Sequence, residues 1–122
     1  MSVFRDAAVH DFVEHMATHI RAEYPDKLTK RSDQGVIEFL RHTIAEANAQ
    51  HIETAGAIAV LIELMMEYGE KFELVPSSDR QWAKNMLAHP TLPDYIRLET
   101  IRDRFARSTG GRRIVPVGVA KK

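Results

Sequence analysis

The residues best suited to chemistry sit on one short stretch: Asp11, His15 and His19 follow each other at i, i+4 and i+8. On a helix they share a stripe, and two imidazoles one turn apart can grip a metal ion with a carboxylate beside them. A working site needs a further ligand from elsewhere, and the chain has no HExxH, no second His pair and no Glu-x-x-His. The expected role of the stripe is therefore a half-exposed flank of a core-facing helix, with no metal and no cofactor. His42 and His51 are of a residue type that can act as acid or base near neutral pH, but no supporting catalytic pattern accompanies them. A serine nucleophile would want a GxSxG elbow, which is missing, and Ser77 and Ser78 fit better as helix caps. Glu63 and Glu67, paired at i, i+4 in an apolar segment, would carry raised pKa values if desolvated; the expected reading is one solvent-facing edge of that helix. No catalytic residue is assigned.

Charge narrows the remaining classes. Seventeen basic and seventeen acidic residues in 122 cancel, which argues against a dedicated nucleic-acid binder that relies on phosphate neutralisation. The basic residues nevertheless cluster late, at Arg97, Arg102, Arg104, Arg107, Arg112 and Arg113, with Lys121 and Lys122 beyond. Only Phe105 supplies an interleaved aromatic, and Glu99 and Asp103 can pair with Arg102 and Arg107, so a solvated helix face is preferred to a phosphate-tracking one. A helix-turn-helix reading fails at SSDRQWAKNML, where Trp82, Met86 and Leu87 commit the candidate recognition helix to the core. There is no cysteine, so disulfides and thiol chemistry are excluded. The opening MSVFRDAAVHDF carries charge and no apolar h-region, which points to the cytoplasm.

These side chains need helices to position them. Between residues 55 and 66 only Glu63 is charged, so a helix there is apolar nearly all round and must be surrounded by others; it is too short to span a bilayer. Val9, Phe12, Val13, Met16 and Ile20 give the stripe of a first helix ended by Pro25, followed by a polar connector over 26–32. Asp33 is the expected cap of a second helix with the stripe Val36, Ile37, Leu40, Ile44 and Ala47. Thr54 caps the central helix and Gly69 closes it; Trp82, Met86 and Leu87 mark a fourth; Leu98, Ile101 and Phe105 mark a fifth starting near Pro93 or Asp94. Met65, Met66 and Met86 are pliable residues suited to an adaptable interface, although their spacing makes them core gap-fillers first. The result is an all-α, single-domain bundle of about five helices over 1–109, with a basic flexible tail over 110–122. Such helices can pack as a monomer or share a face in a homodimer.

The order LIELMMEYGEKFEL, a short polar break, then QWAKNMLAHPTLPDYIRLETI resembles small all-helical bacterial proteins encoded beside type VI secretion effectors and spike components. Met66, Tyr68, Gly69, Phe72, Trp82, Ala83, Met86, Leu87, Leu92 and Pro93 carry the likeness, which covers about residues 4–107; the tail RRIVPVGVAKK departs from it. The resemblance implies a non-enzymatic accessory role, binding a toxic effector or its loading module as adaptor, chaperone or cognate immunity protein. Partner contacts are then expected from side chains that the core does not claim: Arg97, Arg104 and Arg107, Arg112 and Arg113 with the tail, and the His15 and His19 stripe. The alternatives are a small metal-dependent enzyme using Asp11, His15 and His19, or a helical nucleic-acid module using the basic face.

Overall fold

Each helix starts and stops where the local chemistry changes. The computed structural model describes residues 6–108, as α1 (Asp6–Glu23), α2 (Asp33–Ala49), α3 (Ala55–Tyr68), α4 (Ser77–Leu87) and α5 (Asp94–Ser108); no strand occurs among them. The tail expected over 110–122 lies outside the described residues. This is the all-α bundle that the periodicities predict, with α3 packed on α1, α2 and α5, and α4 on α5.

Three local expectations change. Ser32, not Asp33, is the cap of α2: its Oγ accepts the Gly35 N–H, while Asp33 opens the first turn, where a carboxylate still favours the helix dipole. Ser77 and Ser78 lie inside the first turn of α4, whose cap position is Pro76 with no side-chain bond. The polar connector contains a 3-10 turn, Pro25–Leu28, because Leu28 folds into the core. Thr54 does cap α3, its Oγ1 accepting the Ala57 N–H at 3.3 Å. Asp94 reinforces that start from another helix, accepting the N–H groups of Glu53 and Thr54 at 2.8 and 2.9 Å. Burial acts to raise the Asp94 pKa, but these N–H donors and the Thr54 hydroxyl outweigh it and hold the carboxyl below its ordinary value.

Contacts along α3 fix the helix directions. From its start to its end, Gly56 meets Tyr95, Glu63 meets His19 and Arg102, Met66 meets Lys27, and Tyr68 meets Phe105. Helices α1, α3 and α5 therefore run parallel, and the short connections send α2 and α4 back. Ile20, Leu40, Ile58, Ile62, Leu98, Ile101 and Phe105 are fully buried between them. Each such side chain contributes roughly 1.5–3 kcal/mol. No helix among the described residues is long and apolar enough to cross a membrane.

Candidate functional site

Helix α3 carries two stripes that face opposite ways. At about 100° per residue, Leu61 and Met65 point to one side, and Gly56, Ala59 and Glu63 point to the other. On the first side lies a cleft of about 540 Å³ between α2 and α4. Its floor is apolar, from Phe39, Leu61, Met65, Phe72 and Leu87, and its rim is polar, from His42, Glu46, Gln50, Glu70, Lys71 and Lys84.

The walls of the cleft are fastened by side chains the cleft does not contain. Arg97 is only 4% exposed. Its guanidinium donates to Gln50 O at 3.1 Å and His51 O at 2.9 Å, where α2 ends, and also to Leu87 O, where α4 ends, and to Leu92 O. These are carbonyls that a helix C-terminus leaves without partners, so one cation ties two helix ends together. His51 takes a positive φ of 62° at that junction and contributes its carbonyl rather than its ring.

At the other end, Gly69 has φ 95°, and a Cβ there would run into the Glu73 carboxylate. Phe72 also has positive φ, 58°, a conformation costing a side chain about 1–2 kcal/mol. The turn is held by packing and hydrogen bonds. Phe72 stacks edge-on against Phe105 with centroids 5.1 Å apart, and Arg80 Nη1 donates to Glu73 O and Val75 O at 3.0 and 2.9 Å. Arg31 lies 4.8 Å over the Phe39 ring and pairs with Glu70, closing the corner.

On the opposite side of α3 a chain of polar contacts spans α1, α3 and α5. His19 Nε2 stands 2.9 Å from Glu63 Oε2, Arg102 Nη1 lies 3.7 Å from Glu63 Oε1, and Arg102 Nη2 lies 2.5 Å from Glu99. Arg102 beside Glu99 lowers that carboxyl's pKa, with the Tyr95 hydroxyl helping, and Glu99 in turn raises the Tyr95 and Arg102 values. Glu63 is thus half-buried and partnered rather than a simple solvent-facing edge.

The expected partner residues are scattered by this fold. Arg97 belongs to no surface, because it is buried with its guanidinium engaged by four backbone carbonyls; its assignment to a basic partner face is corrected. Arg104 is half-buried, 4.4 Å over the Trp82 ring, with its Nε 3.1 Å from Asp79 Oδ1. The Ser108 hydroxyl and Arg104 together hold the buried Asp79 carboxyl below its usual range, against the opposing effect of burial. Arg107 is exposed and paired with Asp103. His15 is exposed, whereas His19 turns to Glu63. Arg112 and Arg113 lie outside the described residues. Among the described residues, no group of three or more His, Asp or Glu side chains is placed to hold a metal ion. His42 stands 3.3 Å from Glu46, both exposed on α2.

Sequence reasoning missed the cleft itself. Its one available signal was Met65 beside Met66: Met66 is buried, while Met65 stays partly open in the cleft floor. Comparison with protein-family models, curated proteins and solved structures finds no match for this chain.

Proposed function

We propose that this chain is a non-enzymatic protein-binding accessory protein of a bacterial type VI secretion effector, acting in the cytoplasm as adaptor, chaperone or cognate immunity protein. Its partner docks in the α2–α4 cleft as an amphipathic helix. The observation that carries the reading is the cleft: an apolar floor with a mixed-charge rim, walled by two helices whose ends are fastened by Arg97. A groove of this kind takes apolar side chains at helical spacing on its floor and opposite charges along its edges. Lys71 and Lys84 on one edge and Glu46 on the other give the charges such a helix has to match.

The resemblance of the Met66–Pro93 residue pattern to effector-associated helical proteins supports the accessory role. The pattern falls on the α3–α4 corner, and two of its members, Phe72 and Leu87, line the cleft. The test is co-expression with the product of the neighbouring gene. A stable complex is expected with the unaltered chain, and none with Met65→Asp, which places a carboxylate on the apolar floor; the exposed Lys84→Glu, which leaves the core alone, should weaken the complex. Failure of the two proteins to co-purify overturns the accessory reading, and a complex indifferent to both substitutions moves the docking site elsewhere.

A further inference from the structure

Helix α4 has the fewest buried apolar side chains of the five helices. Ala83 and Leu87 are covered, Trp82 and Met86 only partly so, whereas α3 buries apolar side chains along its length from Ala57 to Tyr68. It also packs chiefly on one neighbour, α5, and what seats it there is largely polar. The buried Asp79 carboxylate has Arg104 Nε and Nη2 each 3.1 Å from Oδ1, and Oδ2 accepts the Ser108 hydroxyl. Arg104 covers the Trp82 ring from the same position.

The turn before α4 belongs to the same body. Arg80 donates from α4 to Glu73 O, Val75 O and the Ser77 hydroxyl, which braces residues 73–87 as a unit. A joint lies at each end of that unit. Before it, Gly69 and Phe72 both take positive φ, a conformation that a phenylalanine holds only under constraint. After it, Arg97 donates to Leu87 O, but its bonds to Gln50 O, His51 O and Leu92 O all lie outside the unit. Those three keep the guanidinium partnered when α4 moves, so that end can act as a pivot while the Asp79 end lets go.

We infer that residues 73–87 form a hinged flap, latched to α5 through Asp79, that opens while the rest of the bundle stays folded. The free energy of a local opening is set by the apolar contacts and hydrogen bonds it breaks, and this unit breaks few of the former. Opening widens the α2–α4 cleft, because Lys84 and Leu87 are the part of its lining that α4 supplies. The inference does not rest on the docking reading, and its test uses the full chain alone, so each can fail without the other.

Native-state hydrogen exchange, read amide by amide, tests it. In the unaltered chain the amides of Ala83 to Leu87 should exchange at least about tenfold faster than those of Ile62 and Leu64 on α3 and Ile101 on α5. Two substitutions then separate a flap from global unfolding. Asp79→Asn removes the charged latch and should speed α4 exchange about tenfold. Ile20→Val, in the core of α1, weakens contacts that the open flap retains; it should speed exchange on α3 several-fold and leave α4 unchanged. Equal protection of α4 and α3, with both accelerated alike by Ile20→Val, overturns the flap, as does α4 exchanging in step with Ile101. Fast α4 exchange that is indifferent to Asp79→Asn overturns the latch and reduces the motion to fraying of the helix.

Discussion

The two sides of α3 meet the same problem, a central helix flanked by two others, and resolve it differently. On the α1–α5 side the stripe Gly56, Ala59 and Glu63 is crossed by the His19–Glu63–Arg102 bridge, so polar groups from three helices satisfy one another. On the α2–α4 side the stripe Leu61 and Met65 faces an open cleft, where Glu70 pairs with Arg31 at one corner and Lys71 and Lys84 stand on the rim. A partnered polar surface offers little to a newcomer, because its groups have already exchanged water for each other. An apolar floor left wet gains free energy when covered, at roughly 25 cal/mol per Å². The side that carries His19 and Glu63 is thus the closed one, and the side with Leu61 and Met65 is open.

The largest expected effect comes from the clamp that sets the open side. Arg97→Ala leaves the carbonyls at the ends of α2 and α4 buried without a donor. It should cost about 3 kcal/mol in chemical denaturation. Arg97→Lys should recover little, because an ammonium cannot reproduce the planar fork that reaches four carbonyls. A variant as stable as the parent would mean that the cleft walls are held by packing alone.

Asp94 comes next. Its folded pKa is depressed, so its contribution is complete above the unfolded value, about 3.9, and is lost as pH falls through the lower folded value. Thermal melts should show stability dropping below about pH 4. Asp94→Ala should lose about 1–2 kcal/mol at neutral pH and show less of that acid-dependent drop. An unchanged acid profile in the variant would assign the drop to other carboxylates, Asp79 first.

The smallest effect belongs to the bridge. Glu63→Gln should change stability by less than about 1 kcal/mol, since the pair is partly exposed and screened by salt. It should leave partner binding in the cleft unaltered; loss of binding would show that the two sides of α3 are coupled.

The parts of the fold legible in the sequence were those set by neighbours along the chain. The apolar run from Ala55, the Thr54 cap and the Gly69 stop all follow from residue type and local spacing, and each is observed. The capping of α2 by Ser32 and of α4 at Pro76 was misplaced by one or two residues, because adjacent polar residues compete for the same role. The candidate site was much less legible. An arginine looks the same in sequence whether it faces water, as Arg107 does, or closes four carbonyls, as Arg97 does. Three residues separate Arg104 from Arg107 on α5, yet one stacks on Trp82 of another helix and the other pairs within its own.

The sequence by itself determined that five helices form, which of them is central, and that the whole chain carries no net charge. Those properties depend on period, composition and local capping, which act over a few residues. Tertiary structure alone decided that α2 and α4 leave a cleft, that Met65 rather than Met66 opens into it, and that Arg97 is buried beneath its walls. The physical reason is that a cleft is a failure of contact between segments distant in sequence. It depends on how far apart two helices are held, and here that distance is set by one buried guanidinium and one strained aromatic turn.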